Sequence, residues 1–330
     1  MKRAFLITID TEGDRMWSRP ASIQTENARY LHRFQQLCER FGFKPTYLTN
    51  YEMAESREFQ EFGRDLVRRG AGEVGMHLHA WNSPPLVSLT GRDMHYQPYL
   101  IEYPPEVVES KVEFMTRLLE DRFNVPIVSH RSGRWALDAT YVRLLIKYGY
   151  RVDCSVTPTV SWSRHLGNPA GSGGSDYTDY PAQAYFVDPV DPARIGGSQL
   201  LELPMTIDFS YPAPAILRRT ALARLPLLRG VLLRRSWLRP QVGNLKQMLK
   251  LVRRKVQAGA HYIEFMLHSS EFMPGGSPTF STAESIERMY DDLVQLFELI
   301  SPHFSGSTLA EYGAGVDDGT YPALRVDRPA

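Results

Sequence analysis

The stretch AFLITIDTEGD, residues 4–14, decides the fold of this chain. Residues 4–9 form a mainly apolar run of strand length, and three carboxylates follow at once, those of Asp10, Glu12 and Asp14. A continuous apolar run is typical of a strand that is buried on both faces, as in a parallel sheet. Carboxylates at the end of such a strand need a positive partner, because an unpaired charge is costly to bury.

Further apolar runs alternate with helical periodicities along the chain, and we find no internal repeat. This alternation favours a mainly parallel α/β sheet or barrel. A chain of 330 residues with about eight strands fits a single-domain, distorted (β/α) barrel. The predicted strands are 3–9, 45–50, 73–79, 125–131, 150–156, 199–207, 261–268 and 304–309, and the predicted helices are 24–42, 55–70, 105–124, 137–149, 243–258 and 282–300.

Two segments interrupt the expected single domain of residues 1–330. Residues 158–198 are rich in Gly, Pro, Ser and Asp and are predicted to be a long loop, which in a compact domain is often functional. Residues 209–258 are predicted to be a basic insertion, since 209–263 hold twelve Lys or Arg and no acidic residue. This segment is either a solvated face that pairs with acids elsewhere, or a surface that contacts anionic lipid or a lipid-linked diphosphate.

The composition is that of a soluble globular protein, with 43% hydrophobic and 23% charged residues. Its two cysteines, Cys38 and Cys154, form no disulfide framework, which favours a reducing compartment. The apolar run 4–9 is too short for a signal peptide or a membrane span. We therefore expect a cytoplasmic protein, with peripheral membrane association through residues 209–258 as a further hypothesis. The sequence shows no nucleic-acid-binding module, so no nucleic-acid partner is expected.

Polar side chains recur where the predicted strands end. In a β/α barrel the carboxyl ends of all strands meet at one face, and that face holds the active site. We expect the residues in question to converge there, although they are far apart in sequence. They are Asp10 and Glu12 on the first strand, His77 and His79 on the third, Arg131 on the fourth, Asp153 on the fifth and His268 on the seventh.

The pair His77 and His79 indicates a metal site. Alternate residues of a strand point the same way, so both imidazoles can face one point. Two imidazoles and a carboxylate are a usual ligand set for a divalent metal with open catalytic positions. Asp10 and Glu12 have the same spacing, so one carboxylate can bind the metal while the other stays free as a base.

Each of these residues also has a simpler explanation when it is taken alone. A histidine pair occurs by chance, Asp10 could cap a helix, His268 could be a hydrogen-bonded core residue, and Arg131 could be a surface charge. Their shared position at strand ends favours a common site. His130 precedes Arg131 and must point to the opposite face of its strand, so it is predicted to be structural.

In this order, the motifs resemble the five motifs of the polysaccharide deacetylases, also called carbohydrate esterase family 4 or the NodB-homology group. The DTEGD and HLHAWNSPP variants are similar to the WalW-like branch, which is associated with lipopolysaccharide biosynthesis. The resemblance covers nearly the whole chain. It rests on TIDTEGD (8–14), EVGMHLHAWNSPP (73–85), SHRSGRW (129–135), DCSVTP (153–158) and MLHSSEF (266–272).

The resemblance implies a distorted barrel and the metal-assisted hydrolysis of an N-acetyl group on a sugar. It implies a divalent metal, with zinc as the expected ion, held by Glu12, His77 and His79. The chain departs from the usual pattern, because its two acids are separated by one residue and its histidines are two apart instead of four. Asp10 and Asp14 therefore stay open as alternative ligands.

The same resemblance implies the catalytic roles. Asp10 would be the base that takes a proton from water, and Arg131 would orient Asp10 and keep it ionised. His268 would be the general acid that protonates the leaving amine, and Asp153 would orient or tune His268.

The resemblance also implies the substrate class. Trp17, Trp81 and Trp135 lie near the motifs and could stack on a sugar ring, with core packing as the alternative. The expected substrate is an N-acetylated sugar of a cell-surface polysaccharide or lipopolysaccharide precursor, in a free or lipid-linked form. Two other functions stay open: an amidase or esterase that acts on another small acylated molecule, and an inactive barrel that binds glycans or acts as a scaffold.

Overall fold

The computed structural model describes residues 3–20, 22–211 and 233–326. Its strands are β1 (Ala4–Thr11), β2 (Thr46–Thr49), β3 (Glu73–Leu78), β4 (Ser129–Ser132), β5 (Val152–Asp153), β6 (Tyr185–Phe186), β7 (Leu201–Glu202), β8 (Ile207–Phe209), β9 (Arg235–Trp237), β10 (Tyr262–His268) and β11 (Ser305–Ser307). Its helices are α1 (Leu31–Arg40), α2 (Tyr51–Glu55), α3 (Arg57–Arg68), α4 (Asp93–Tyr96), α5 (Pro105–Phe123), α6 (Ala139–Lys147), α7 (Leu245–Gln257), α8 (Ala283–Ile300) and α9 (Leu309–Asp317).

The main sheet has the order β10-β1-β2-β3-β4-β5-β7-β6, and β11 pairs with the first half of β1. Every pair in it is parallel except β6 with β7. All eight predicted strands are present in this curled sheet, and the expected α/β class with a distorted barrel is confirmed. The carboxyl ends of β10, β1, β2, β3 and β4 consequently lie side by side at one rim.

Strand β1 shows how both faces of the sheet are filled. Phe5 and Ile9 belong to the large core that packs against the helices, and Phe5 meets the rings of Phe43 and Phe297. Ala4 and Leu6 point the other way, into a smaller apolar cluster that residues of α9 join. The inner face of the strand therefore changes from apolar near its start to polar at Thr8 and beyond.

Irregular backbone joins the two edges of the curled sheet. The N–H of Leu203 donates to the carbonyl of Asp153 beyond β7 (2.8 Å), and the N–H of Leu238 donates to Thr206 (3.0 Å). The N–H of Met266 on β10 then donates to the carbonyl of Leu238 (3.3 Å). Residues after β7 and after β9 thus cover the free edge of β10, which explains why the barrel is distorted.

Several element boundaries differ from those predicted, and local hydrogen bonds explain two of the differences. Residues 26–30 form a 3₁₀ turn ahead of α1, and the Asp14 carboxylate accepts from the N–H groups of Glu26 and Asn27 (2.9 and 3.0 Å). The predicted strand 304–309 ends at Ser307 because Thr308 and Glu311 form the capping box of helix α9. A Thr-x-x-Glu pattern of this kind is readable in the sequence.

The predicted long loop and basic insertion contain short ordered elements. Strand β6 lies within 158–198, and the β8–β9 hairpin and α7 lie largely within 209–258. Arg254 and Lys255 both approach the Asp208 carboxylate (2.9 and 3.5 Å), so these two basic residues have an acidic partner. Residues 212–232 of the predicted basic insertion lie outside the described residues, so its proposed lipid contact is named here without a structural account. None of the helices in the described ranges has the length and hydrophobicity needed to cross a bilayer.

We expect the aromatic contacts of Phe5 to stabilise the sheet–helix packing. Phe5→Ala should lower the free energy of unfolding by about 3–5 kcal/mol, since it removes a buried ring and leaves a cavity. Phe114 is 37% exposed on α5, and Phe114→Ala is the matched control with an expected loss below about 1 kcal/mol. Urea unfolding followed by circular dichroism measures both losses. Equal losses in the two variants would contradict the packing described here.

Candidate metal centre and active site

The strand register brings the predicted site residues together. Asp10 on β1 lies opposite His268 on β10, and His77 on β3 lies opposite Arg131 on β4. The strand ends open into a pocket of about 270 Å³, which Asp10, Glu12, His77, His79 and His268 line. The expected convergence of residues from both ends of the chain is therefore present.

Glu12, His77 and His79 form a buried cluster in which one ligand atom from each lies within 4.8 Å of the others. The Glu12 Oε2 atom is 2.9 Å from Nε2 of His79. The rings of the two histidines are 4.6 Å apart and nearly perpendicular. This is the cluster able to hold a metal that the H-x-H pattern predicted.

The protonation of His77 suits a metal ligand. Its Nδ1–H donates to the carbonyl of Arg131 (2.9 Å), which leaves the Nε2 lone pair free. Burial lowers the pKa of His77 to about 4, so the ring is neutral at pH 7. Neutral imidazoles and an ionised carboxylate are the donor set that a divalent ion requires, so the residues present fit the metal that the resemblance implies.

Gly133 lies in close contact with His79 and with the end of β3. A Cβ atom at this position would lie 2.6 Å from Nδ1 of His79 and 2.5 Å from the carbonyl of Leu78. Only glycine allows the loop after β4 to pack this closely against the end of β3. The glycine of the SHRSGRW motif thus has a steric reason.

Asp10 lies in a buried ion-pair network. Arg131 donates from Nη1 to Asp10 Oδ1 (2.6 Å), and its Nη2 donates to Thr8 (2.7 Å) and to Glu264. Burial raises the pKa of Asp10, but the charge of Arg131, its hydrogen bond to Asp10 and the charge of His268 outweigh burial and hold that pKa well below its usual range. The predicted partner of Asp10 is therefore in place, and its second oxygen remains free of the guanidinium.

His268 faces the two acids of β1 through Nε2, which is 3.8 Å from Asp10 Oδ2 and 3.5 Å from Glu12 Oε1. Its Nδ1 lies between Glu271 Oε2 (3.2 Å) and Arg239 Nη2 (3.1 Å). Burial lowers the pKa of His268, but the hydrogen bond to Glu271 outweighs it and the pKa is raised.

The prediction that Asp153 orients His268 is wrong. The carboxylate of Asp153 is bonded to Nδ1 of His130 (2.6 Å), and Nε2 of His130 contacts the hydroxyl of Tyr141 (2.6 Å). Both side chains are fully buried. Asp153 belongs to a structural network behind β4, and Glu271 occupies the place that was expected for it beside His268.

The Asp14 carboxylate forms its hydrogen bonds outside the metal cluster. Besides the N–H groups of Glu26 and Asn27, its carboxylate accepts from the Asn27 side chain (2.5 Å). Its oxygens therefore cap the turn ahead of α1. Among the three acids of the first motif, Glu12 is the one that lies within the metal cluster.

The three predicted substrate-contacting tryptophans all line the pocket. Trp17 is 41% exposed at its mouth, and its ring meets His268 edge-on at 4.8 Å. Trp81 packs against His79 with ring centroids 4.3 Å apart, and the Arg131 guanidinium lies 4.8 Å above the Trp135 ring. All three therefore pack against the predicted site residues, and their contact with a substrate stays a prediction.

Sequence reasoning missed three charged residues. Glu264 had a readable signal, since it is an acid within the otherwise apolar strand β10 and shares a face with His268. Glu271 also had one, because it lies three residues after His268 and caps its backbone N–H (2.8 Å). Arg239 had none, because its position depends on the irregular backbone that follows β9.

No protein-family model matches the chain, and no curated protein does either. Among solved structures, a Parabacteroides distasonis protein assigned as a glycoside hydrolase or deacetylase superimposes with a TM-score of 0.58 and 13% sequence identity. The match covers 95% of this chain and 70% of the Parabacteroides chain. A Mycobacterium smegmatis protein assigned as a polysaccharide deacetylase gives 0.54 and 13%, covering 100% and 96%. The chain has the fold of the polysaccharide deacetylases.

A 4-alpha-glucanotransferase from Thermococcus litoralis matches equally well, with a TM-score of 0.53 and 14% identity over 98% of this chain and 42% of its own. The deacetylase fold therefore does not decide the chemistry, which must be argued from the site. The resemblance is confirmed for the fold, and the WalW-like branch stays a prediction.

We predict that loss of Glu12 and loss of Asp14, two acids of the first motif, affect metal binding differently. Glu12→Gln should lose most of the bound metal, because it removes the charged ligand, whereas Asp14→Asn should keep it. Asp14→Asn should instead cost about 0.5–2 kcal/mol of stability through the weakened cap. Elemental analysis after zinc loading and desalting, with thermal melting, measures both. Equal metal contents in the two variants would rule out this ligand assignment.

Proposed function

We propose that this chain is a metal-dependent hydrolase that removes an N-acetyl group from an amino sugar of a cell-surface polysaccharide or lipopolysaccharide precursor. The observation that carries the proposal is the placement of the Glu12, His77 and His79 cluster beside two further groups. These are the Asp10–Arg131 ion pair and the Nε2 atom of His268. A ligand site, a base and an acid thus share one pocket.

A divalent ion held by Glu12, His77 and His79 would polarise the amide carbonyl and lower the pKa of a bound water. Asp10 is the base that accepts a proton from the attacking water through Oδ2, because Oδ1 is held by Arg131. Arg131 fixes the carboxylate and keeps it ionised. These two residues therefore serve the first half of the reaction.

His268 serves the second half, because the amine departs only after it receives a proton. Its Nε2 faces the same space as Asp10 Oδ2, so the acid and base act on one bound group. Glu271 accepts from Nδ1 when the ring is protonated and so stabilises the imidazolium. Arg239 lies within 3.3 Å of Glu271 and holds that carboxylate in place.

The ligand set supports zinc as the bound ion. Two histidines and one glutamate are a common catalytic zinc set that leaves positions open for water and substrate. Other divalent ions accept the same donors, so the choice of zinc is itself part of the proposal.

The tryptophans support a saccharide as the substrate. Trp17, Trp81 and Trp135 present apolar faces around the catalytic groups, and such faces suit the C–H surface of a sugar ring. A lipid-linked form of the sugar, a cytoplasmic location and a membrane contact through residues 209–258 belong to the same proposal.

The proposed activity predicts acetate release from N-acetylated sugars that depends on metal and on Asp10. Chelation should abolish the release, and zinc should restore it. Asp10→Asn should lower kcat by about 10²–10⁴-fold, the contribution of a positioned base. Asp14→Asn is the control in the same motif and should stay within a few-fold of wild type. Coupled acetate assays on oligosaccharides, sugar nucleotides and lipid-linked sugars measure this.

Two outcomes would contradict the proposal. Hydrolysis of small acylated amides or esters without hydrolysis of any sugar would indicate an amidase or esterase. A chain that binds glycans and carries no stoichiometric metal would indicate an inactive glycan-binding barrel.

A further inference from the structure

The pocket wall outside the catalytic groups carries hydrogen-bond donors without acceptors. Within the described part of the chain, Nε1 of Trp81 and Nε of Arg239 are buried and have no hydrogen-bond partner. Both side chains line the pocket. A buried donor without an acceptor costs about 1–3 kcal/mol, so a ligand that brings acceptor oxygens would be favoured here.

Arg134 adds a positive charge to this wall. Its guanidinium lies over the ring of Tyr99, 3.9 Å from the centroid, and Arg134, Tyr99 and Gln97 all line the pocket. Its Nη1 donates to the carbonyl of Gln97, and its Nη2 donates to the carbonyl of Leu166 (3.2 Å). These partners are neutral, so they fix the side chain without cancelling its charge.

No carboxylate of the described ranges forms an ion pair with Arg134. Glu102 is the acid that acts on the Arg134 pKa, but its oxygens accept from the backbone N–H groups of Tyr99 (2.7 Å) and Asn168 (3.0 Å). Arg131, by contrast, is matched by two acids. Arg134 is thus a fixed cation on the wall of the pocket, whereas Arg239, which also lines it, is paired with Glu271.

The backbone around Arg134 is strained. Arg134 and Trp135 both adopt left-handed conformations, with φ of +56° and +60°. Such conformations cost non-glycine residues of order 1–3 kcal/mol each and persist where the surrounding structure holds them, often at binding sites. The strain places the Arg134 side chain on the pocket wall directly after the catalytic Arg131 strand.

We propose that the pocket takes an acidic N-acetylated sugar, one that bears a carboxylate or a phosphate, and that Arg134 binds its anionic group. This inference rests on the proposed deacetylation and names its substrate class. The guanidinium gives charge-assisted hydrogen bonds to the anion, and Nε1 of Trp81 and Nε of Arg239 donate to further oxygens of the same sugar. A neutral sugar leaves the Arg134 charge without a counterion.

The test compares three probes: N-acetylglucosamine, its 1-phosphate and N-acetylglucosaminuronic acid. Acetate release gives kcat/KM for each probe on the wild-type enzyme. Dissociation constants come separately from tryptophan fluorescence in the zinc-loaded Asp10→Asn protein, where turnover is suppressed. The phosphate and carboxylate probes distinguish the two sources of negative charge.

Three variants assign the effect to Arg134. Arg134→Gln removes the charge. Arg134→Lys keeps a positive charge at the same position, so it separates an effect of charge from an effect of a disturbed loop. Arg92 is the matched control, because it also stacks on a tyrosine, 5.7 Å from the Tyr96 ring, and is not among the residues lining the pocket. Arg92→Gln should behave as wild type.

We expect the wild type to favour at least one acidic probe by about 10- to 100-fold, the worth of a charged hydrogen bond. Arg134→Gln should remove that preference, and Arg134→Lys should recover most of it. Equal binding of neutral and acidic probes by the wild type would overturn the inference. Survival of the preference in Arg134→Gln would also overturn it, because the anion would then bind elsewhere, as on the metal.

The experiment tests the proposed deacetylase activity and the proposed anion site separately. Preferential binding of acidic sugars without acetate release from any probe would support the anion site and contradict the deacetylase activity. Acetate release from neutral and acidic probes alike would support the activity and contradict the anion site.

Discussion

The buried guanidinium of Arg131 holds the interior of this protein together. It is fully buried on β4 and reaches two other strands, since it donates to Asp10 and Thr8 on β1 and to Glu264 on β10. A buried cation is stable only when it is paired and hydrogen-bonded, so the acids and the arginine fix one another. This constraint aligns the ends of strands that lie at opposite ends of the sequence and so creates the pocket.

The same constraint separates the acids into different roles. Arg131 takes one oxygen of Asp10, the turn ahead of α1 takes Asp14, and Glu12 is left to approach the histidines. Environment, more than residue type, therefore distinguishes the proposed base Asp10, the cap Asp14 and the proposed metal ligand Glu12. The fold alone could not make this distinction, since a glucanotransferase shares it.

Much of this arrangement could be predicted from the sequence because it depends on periodicity. The parallel strands, the flanking helices and the gathering of Asp10, His77 and His268 at one rim follow from apolar runs with polar ends. The partner of His268 was predicted wrongly, because Asp153 and Glu271 both lie near strand ends and spacing alone does not show which carboxylate faces the imidazole. Arg239 and Arg134 depend on irregular backbone, for which the sequence has no comparable period.

The central claim is that Glu12, His77 and His79 share one divalent cation, and it can be tested by diffraction. An anomalous difference map from a zinc-soaked crystal, recorded on both sides of the zinc edge, locates the ion directly. The account predicts one strong peak at the rim, with a Glu12 oxygen and a nitrogen of each histidine at about 2.0–2.2 Å from it. A peak held by other residues, or the absence of a peak among these three in a crystal that contains zinc, would contradict it.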